Sequence, residues 1–344
     1  MKIKLTELTE AGGCGCKIPP SVLDSILNYG KGTHIDVQLL VGNISKDDAA
    51  IYQIDETRAV VSTVDFFTPI VDDPYTFGKI ATANAISDVY AMGGQPLWAL
   101  AILGFPVKDV DDFDVKRILE GAVSICEQAG VIIAGGHTIN NPQPIFGLCV
   151  NGFVEIDRVK RNDKAKIGDL IYITKPLGVG ILSTAIKLNK IQQEHYTLAV
   201  ESMTALNDIG RKLSQLQCIN AMTDVTGFGL AGHLLEICRG SDVSAEIYFD
   251  KLPIINGVET YIEQNIITGG GKRNWKSYKE FVMGTNKFSE IILSDPQTNG
   301  GILVTVSEND LSEFQDLMKE NNLNQFITPI GKIIESENNQ LFIR

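Results

Sequence analysis

The chain has 344 residues, of which 44% are hydrophobic and 21% charged, a composition typical of a globular protein large enough for two domains. Its formal net charge of -12 disfavours nucleic acid or an anionic membrane as the main partner, although local cations and a metal would still allow a small phosphorylated ligand. Six cysteines in a chain of this length do not make a disulfide framework. No apolar run is typical of a signal peptide or a membrane span, so we expect a cytoplasmic protein.

Near the N-terminus, glycines alternate with thiols in the segment Gly12-Gly13-Cys14-Gly15-Cys16-Lys17. Glycine lets the backbone bend sharply, so this segment could fold over a ligand. Thiolate is the reactive form of cysteine, and Lys17 could stabilise it at Cys14, which favours a nucleophilic or chalcogen-handling cysteine. Two alternatives stay open: a loose chain end with inert cysteines, and a dithiol redox switch without the usual C-x-x-C spacing. A zinc site would need two more ligands with paired spacing.

The first half of the chain alternates predicted strands and helices. In order, they are a short helix that opens at residues 20–23, strands at 49–53 and 59–64, a helix at 76–92, a buried strand at 97–103, a helix at 114–129, and strands at 131–134 and 145–156. Asp65 follows the second strand beside a loop, where ligand sites are common. In the alanine-rich helix at 76–92, Asn84 and Asp88 are four residues apart and share a face.

A charged stretch at residues 157–166 predicts a linker between two domains. The predicted elements after it are a strand at 169–174, a helix ending at 187, a helix at 197–216, a helix at 230–238, a mobile loop at 268–275, a strand at 302–306, a helix at 311–321, and strands near 326–334 and 341–343. Because strands and helices alternate in both halves, the fold class is α/β or α+β.

Several aspartates lie at predicted strand ends, in turns or beside small residues: Asp47, Asp48, Asp65, Asp88 and Asp224. Magnesium prefers oxygen ligands and usually binds between one or two carboxylates and substrate phosphates. Convergence of these side chains would suit more than one ion clamping a polyphosphate. For any single aspartate, a helix cap or a turn is the simpler interpretation.

Three glycine-rich segments are candidate phosphate-binding sites: Gly135-Gly136-His137-Thr138, Gly178-Val179-Gly180 and Gly227-Phe228-Gly229. Each follows a predicted strand, and backbone N–H groups at a helix start can bind anions, although an ordinary turn is the commoner role of such glycines. The chain has no P-loop, protein-kinase or Rossmann motif. The histidines show no metal-ligand spacing, which favours a structural role for His137.

The segment around Cys14 is the first of a series of motifs that occur in order along the chain. The others are Gly42-Asn43 with Asp47-Asp48-Ala49-Ala50, Thr63-Val64-Asp65-Phe66-Phe67, Asn84-Ala85-Ile86-Ser87-Asp88, Ala134-Gly135-Gly136-His137-Thr138, Thr174-Lys175-Pro176-Leu177-Gly178, Met222-Thr223-Asp224-Val225-Thr226-Gly227 and Asp295-Pro296-Gln297-Thr298. Together they resemble the selenide, water dikinase (selenophosphate synthetase) family over essentially the whole chain. Relatives in the wider aminoimidazole-ribonucleotide-synthetase-like superfamily of ATP-dependent enzymes share the later motifs in part but lack the Cys-Gly-Cys-Lys segment. Asn299 departs from the family pattern, which more usually has serine at this position. We expect the change to affect only the local structure.

The resemblance implies an α+β protein with α/β-like alternation and a two-domain aminoimidazole-ribonucleotide-synthetase-like fold. Its parts would be a flexible glycine/cysteine segment with a short helix at 1–45, an ATP-binding and dimerisation domain at 46–157, and a C-terminal α/β domain at 168–344. Homodimers would form by pairing of the N-terminal sheets, with the nucleotide site close to that interface.

The resemblance also implies a reaction that converts ATP, selenide and water into selenophosphate, AMP and orthophosphate, and so supplies selenium for selenocysteine and selenouridine. Carried over by motif, Cys14 is the catalytic thiol and Lys17 the catalytic lysine near the phosphates. The implied Mg²⁺ ligands are Asp48, Asp88 and Asp224. The implied ATP contacts are Lys17, Ser45, Lys46, Asp47, Asp65, Asp88, Gly136, His137 and Thr138. The glycine-rich segment would act as a lid that excludes water, and a selenium-delivery protein is a further possible partner.

Two other functions stay open at this stage. The chain could be another ATP-dependent enzyme of the same superfamily, acting on an amide or a phosphorylated metabolite, but such relatives lack the N-terminal motif. It could instead be a silent selenium or metal carrier that uses Cys14 and Cys16, although retention of the aspartates and Lys17 argues against this.

Overall fold

The computed structural model describes residues 4–9, 11–18, 22, 26, 36–42, 47–338 and 340–344. Of the predicted helix that opens at residues 20–23, only Val22 and Ile26 fall within this part, and both are exposed. The predicted ATP contacts Ser45 and Lys46 lie outside the described residues. No helix in the described ranges is long and apolar enough to cross a membrane.

Six strands form a first sheet with the spatial order β1-β2-β3-β6-β4-β5. Their bounds are β1 (Leu39–Val41), β2 (Ala50–Gln53), β3 (Arg58–Phe67), β4 (Gln95–Phe105), β5 (Ile132–Asn140) and β6 (Ile145–Glu155). All neighbouring pairs are antiparallel except β4 and β5, which are parallel. β5 is therefore an edge strand, joined to the sheet on one side by β4.

Helices α1 (Pro74–Ala91) and α2 (Asp112–Ala129) follow β3 and β4. They approach closely where glycines face each other: a Cβ atom at Gly78 would lie 1.9 Å from the carbonyl oxygen of Ile118, and one at Gly121 would lie 2.0 Å from that of Tyr75. α1 contacts β3 and β6 of the first sheet and also elements of the second half of the chain. It is therefore buried on nearly every side and carries Asn84 and Asp88 to the junction between the two halves.

The second half forms a seven-stranded sheet with the order β10-β13-β9-β12-β7-β11-β8. Its strands are β7 (Leu170–Ile173), β8 (Ile219–Asp224), β9 (Ser244–Ile247), β10 (Val282–Met283), β11 (Ile302–Val306), β12 (Gly331–Ile334) and β13 (Leu341–Ile343). Its helices are α3 (Val179–Lys187), α4 (Gln193–Thr204), α5 (Ile209–Leu213), α6 (Gly229–Ser241), α7 (Val258–Glu263), α8 (Gly269–Tyr278), α9 (Lys287–Ser294) and α10 (Leu311–Glu320). Pairing is mostly antiparallel, so the predicted α+β class with two sheet-containing halves is confirmed.

Two strands of the first sheet continue through motifs that the sequence analysis places after their ends. β3 pairs with β6 along its whole length, so Asp65 lies inside the strand opposite Leu148 and not at a strand end beside a loop. β5 pairs with β4 as far as Asn140, which places Gly135-Gly136-His137-Thr138 inside a strand. In both cases the backbone hydrogen bonds of the ladder outweigh the local turn signals.

Two predicted elements of the second half are wrong. The predicted helix at 197–216 is broken after Thr204, because the carbonyl oxygen of Ala205 accepts hydrogen bonds from the side chains of Lys175 and Asn299 and not from a further helical turn. The predicted mobile loop at 268–275 is largely helix α8. Its glycines are compensated by the N-cap Thr268, which accepts from the Gly271 N–H at 2.8 Å.

Candidate active site

An N-terminal strap, residues 11–18, lies across both halves of the molecule. Its Gly13 N–H donates to Thr68 of the first half (3.0 Å), and the Cys14 N–H donates to Thr298 Oγ1 of the second half (3.0 Å). Gly13 has a φ of +57°, and a Cβ atom there would lie 2.5 Å from Ile70 Cδ1 and from Thr298 Oγ1. Glycine is therefore required at this turn by both conformation and space.

Within the strap, Cys14 is buried, with 1% of its surface exposed. Its Sγ donates a hydrogen bond to Asn84 Oδ1 at 3.3 Å. Burial raises the pKa of the thiol well above its ordinary value, and the nearby charge of Lys17 lowers it only in part. Lys17 therefore acts in the predicted direction, but burial outweighs it and favours the neutral thiol over the thiolate.

Lys17 Nζ lies 3.5 Å from Asp65 Oδ2. Burial opposes the ammonium charge, but Asp65, Cys14 and the more distant carboxylates outweigh it and raise the pKa of Lys17. The Lys17 side chain is therefore stably protonated, and it lies near both the thiol and the carboxylates.

The predicted Mg²⁺ ligands come from three separate elements: Asp48 precedes β2, Asp88 is on α1, and Asp224 ends β8. Burial and mutual repulsion raise the pKa of Asp48 and of Asp88. Burial likewise raises the pKa of Asp224, to about 6. Asp48 and Asp88 thus both lie near enough to Asp224 for its charge to raise their pKa values.

Hydroxyl groups hold each of these carboxylates in place. Thr223 Oγ1 donates to Asp48 Oδ1 at 2.8 Å, Thr63 Oγ1 donates to Asp88 Oδ2 at 2.6 Å, and Ser87 Oγ donates to Asp224 Oδ2. Within the described ranges, the buried Asp48 Oδ2 has no hydrogen-bond partner.

Among the described residues, no group of three or more His, Cys, Asp or Glu side chains is placed to hold a metal ion by itself. Magnesium does not need one, because it keeps waters and shares its ligands with substrate phosphates. A divalent cation would also relieve the repulsion among the carboxylates and give Asp48 Oδ2 a partner. The oxygen donor set of Asp48, Asp88 and Asp224 therefore fits Mg²⁺.

Asn84 is a site residue that sequence reasoning did not assign a role. Its Oδ1 accepts from Cys14 Sγ and from the Asn299 N–H (2.7 Å), and its Nδ2 donates to Asp65 Oδ2. The sequence signal that could have identified it was an asparagine in an alanine-rich helix, on the same face as Asp88. The structure shows that it is fully buried.

Two more polar residues support the site from the second half. Lys175 is 7% exposed, and its Nζ donates to the carbonyl oxygens of Ala205 (2.7 Å) and Asn299 (2.9 Å). Burial lowers the pKa of Lys175 to about 7. Asn299 adopts a left-handed conformation (φ 52°), which asparagine tolerates, and its Nδ2 reaches the carbonyl oxygens of Met203 and Ala205. Its contacts thus extend well beyond the local loop.

Some of the residues predicted to contact ATP lie away from Cys14 in the same chain. Asp47 Oδ1 accepts from the Asn162 N–H (2.8 Å), and its Oδ2 lies 3.9 Å from Arg161 Nε, so it faces the connection between the two halves. The segment 136–138 lies on the exposed edge strand β5, separated from β3 and Asp65 by two strands. At the usual strand spacing this is about 14 Å across the sheet.

Comparisons with known proteins agree with this architecture. Residues 46–154 match the AIR synthase related protein N-terminal domain, and residues 166–344 match the AIR synthase related protein C-terminal domain. The solved structure of AaThiL complexed with AMPPCP and TMP has a TM-score of 0.68 at 21% identity and covers 99% of this chain and 95% of its own. The fold and site thus define a two-domain protein of the AIR-synthase-related class.

Full-length relatives narrow the class further. The selenide, water dikinase of Colwellia psychrerythraea is 50% identical over 96% of this chain and 96% of its own, and that of Pasteurella multocida is 47% identical over 97% and 95%. The chain belongs to the selenide, water dikinase family and is a kinase-type enzyme.

Proposed function

We propose that this enzyme makes selenophosphate from ATP, selenide and water and releases AMP and orthophosphate, with Mg²⁺ as cofactor. The γ-phosphoryl group would pass to selenium as its bond to the β-phosphate oxygen breaks, and water would take a second phosphoryl group. The observation that carries the proposal is that the strap places Cys14 against Asn84 and Lys17 against Asp65, beside the buried carboxylates.

The charges of the site support a role in phosphoryl transfer. Such reactions depend mainly on positioning and on stabilising negative charge around the phosphates. Lys17 keeps its charge and is oriented by Asp65 at 3.5 Å. Asp48, Asp88 and Asp224 would hold Mg²⁺, which when bound neutralises phosphate charge and orients the transferred group. Thr63, Ser87 and Thr223 fix the carboxylate oxygens for that task.

Cys14 is assigned as the catalytic thiol because it is the nucleophilic side chain that the strap places next to Lys17 and the carboxylates. Asn84 Oδ1 accepts the hydrogen bond from the Cys14 thiol and so holds the thiol proton in one direction. The strap also covers the thiol from solvent, which favours transfer to selenium over loss of the phosphoryl group to water. The proposal is compatible with two sources of selenide, the free anion and a delivery protein.

A homodimer would complete the nucleotide site. The strands β3, β6 and β4 place Val64, Cys149 and Leu100 in register, and Val64 and Leu100 are 54% and 42% exposed. An exposed apolar sheet face of this kind is typical of a protein–protein interface. A second copy packed on it would cover the edge of β5 and bring the segment 136–138 into the interface, where it could contact ATP.

Selenide-dependent AMP formation tests the proposal. We expect Cys14→Ser to reduce it by at least about a hundredfold, because a hydroxyl lacks the nucleophilicity and acidity of a thiol. Cys16→Ser is the matched control, since Cys16 is exposed, and should stay within about threefold of the parent. Chromatographic assay of AMP under anaerobic conditions gives the rates. Full activity of Cys14→Ser would overturn the assignment of the thiol.

A further inference from the structure

Behind the strap lies a cavity of about 230 Å³ that the mechanism above does not use. The strap forms one wall, and the others are Thr6, the loop after β3, the length of α3 as far as Lys187 and Leu188, the first turns of α8, and the loop before β11. The aspartates of the proposed Mg²⁺ site do not line it. It is therefore distinct from the phosphate-binding side of the active site.

The ionisable side chains among the described lining residues are both cationic: Lys187 and Arg273. Lys187 Nζ donates to the carbonyl oxygen of Thr9 at 2.6 Å, and Arg273 Nη2 donates to that of Gly15 at 3.1 Å. Each cation thus donates to a backbone carbonyl oxygen of the N-terminal segment. In a protein with a net charge of -12, this locally positive cavity favours an anion.

The size of the cavity restricts what it can hold. Pockets for drug-sized ligands usually begin near about 300 Å³, so this smaller volume favours a small ligand such as an inorganic anion. The wall offers hydroxyl and backbone groups in addition to the two cations, among them Ser183, Thr184 and Thr268. A small anion would therefore find both charge and hydrogen-bond donors.

The cavity is also next to the thiol. Thr298 lines it, and Thr298 Oγ1 accepts from the Cys14 N–H at 3.0 Å. Gly15, directly after Cys14, forms another part of the wall, and a Cβ atom there would meet no atom within 4 Å. Cys14 is therefore next in sequence to one lining residue and hydrogen-bonded to another, and the strap has no side chains at Gly12 and Gly15 of the wall.

We infer that this cavity binds the acceptor of the reaction, hydrogen selenide as an anion, before it meets Cys14, with Lys187 and Arg273 supplying the positive charge. The inference rests on the proposed function and deepens it, because it gives the second substrate a place separate from Mg²⁺ and ATP. Orthophosphate, a product, is also a small inorganic anion, so the experiment has to distinguish entry of selenide from exit of phosphate.

The test compares Lys187→Met and Arg273→Met with Lys190→Met and Lys276→Met, which remove exposed lysines next to α3 and on α8. Loss of one charged hydrogen-bond donor should raise the KM for selenide about tenfold. The KM for ATP, and kcat at saturating selenide, should stay within about twofold, and the controls should match the parent. Hydrogen sulfide, an anion of the same class, should inhibit the parent competitively against selenide and inhibit both cavity variants about tenfold more weakly.

Arg273 has two roles in the structure, because it supplies positive charge and also binds the strap through Gly15. Arg273→Lys tests the charge alone. Lysine retains the charge and should restore the KM for selenide to within about threefold of the parent. Failure of that rescue, an unchanged KM for selenide in both methionine variants, or a parallel rise in the KM for ATP would each overturn the inference. A loss of orthophosphate product inhibition alone would assign the cavity to phosphate and also overturn it. If the parent forms no AMP with selenide, the proposed function itself fails instead.

Discussion

At the residue scale, Asn84 joins groups that are far apart in the sequence. Its side chain connects the Cys14 thiol, the Asp65 carboxylate and the backbone of Asn299, which is 215 positions away. Because the asparagine is fully buried, every one of these bonds forms in an environment where an unpaired polar group is costly. The arrangement fixes the thiol and the partner of Lys17 relative to each other.

The residue types of the site were predictable from the sequence, but their convergence was not. Cys14, Lys17 and the aspartates carry recognisable chemistry, and their motifs resemble a known family. A motif gives no distance between segments, so the coupling of Asp48 to Asp88 and Asp224 required the structure. The same holds for the neutral state of Cys14, which follows from burial and not from the neighbouring lysine alone.

Asp224 provides a prediction about the metal. Asp224→Asn preserves an acceptor for Ser87 but removes a charge from the proposed Mg²⁺ ligands, so we expect at least about tenfold weaker binding of a non-hydrolysable ATP analogue in the presence of Mg²⁺. Titration calorimetry measures the affinity. Asp208→Asn, at an exposed position, is the control and should bind normally. Equal affinity of parent and Asp224→Asn would remove Asp224 from the ligand set.

At the element scale, the sequence predicted most strands and helices but not the limits of β3 and β5. The glycines of 135–136 and the phenylalanines after Asp65 suggested turns, whereas the neighbouring strands β4 and β6 supply partners that extend the ladder. Helix α8 was missed for a similar reason. Its glycine-rich start is compensated by Thr268 and by buried Asn274, whose Nδ2 bonds the carbonyl oxygens of Gly227 and Ser294.

The turn into α6 gives a prediction about pH. His233 Nε2 accepts from the Thr226 N–H at 3.1 Å, and burial lowers the pKa of His233 to about 3. The folded protein therefore binds fewer protons than the unfolded chain between pH about 3 and the ordinary histidine value near 6.5, and stability falls as the pH drops through that range.

His233→Gln keeps an acceptor for Thr226 but does not titrate. We therefore expect its Tm to fall less than that of the parent between pH 7 and pH 5, whatever the offset at pH 7. Differential scanning calorimetry in the absence of ATP measures both series. Parallel Tm curves for the two proteins would show that His233 does not contribute to acid sensitivity.

At the scale of the whole molecule, the strap and α1 connect the two sheets at one place. The strap bonds Thr68 in the first half and Thr298 in the second, and α1 packs against elements of both. The site therefore depends on how the halves are joined, which the predicted domain boundaries alone do not show. The predicted linker is itself docked: Lys160 Nζ donates to the carbonyl oxygens of Leu216 and Ile219.

The exposed face of the first sheet leads to a prediction about assembly. Leu100→Glu places a charge at the centre of the proposed interface and should convert a dimer of twice 37.5 kDa into a monomer, with weaker ATP binding. Light scattering after size exclusion gives the mass. Val123→Glu, at an exposed position on α2, should remain dimeric. A monomeric parent, or a dimeric Leu100→Glu variant, would contradict this interface.

The proposed function depends on transfer of a phosphoryl group from ATP to selenium. Phosphorus NMR of the anaerobic reaction with ⁷⁷Se-labelled selenide and MgATP tests it most directly, because a P–Se bond splits the phosphorus signal. We predict that AMP, orthophosphate and a selenium-coupled phosphorus resonance appear in equal amounts, and that no AMP forms at a comparable rate without selenide. Hydrolysis of ATP to ADP with no selenium-coupled resonance would contradict the account.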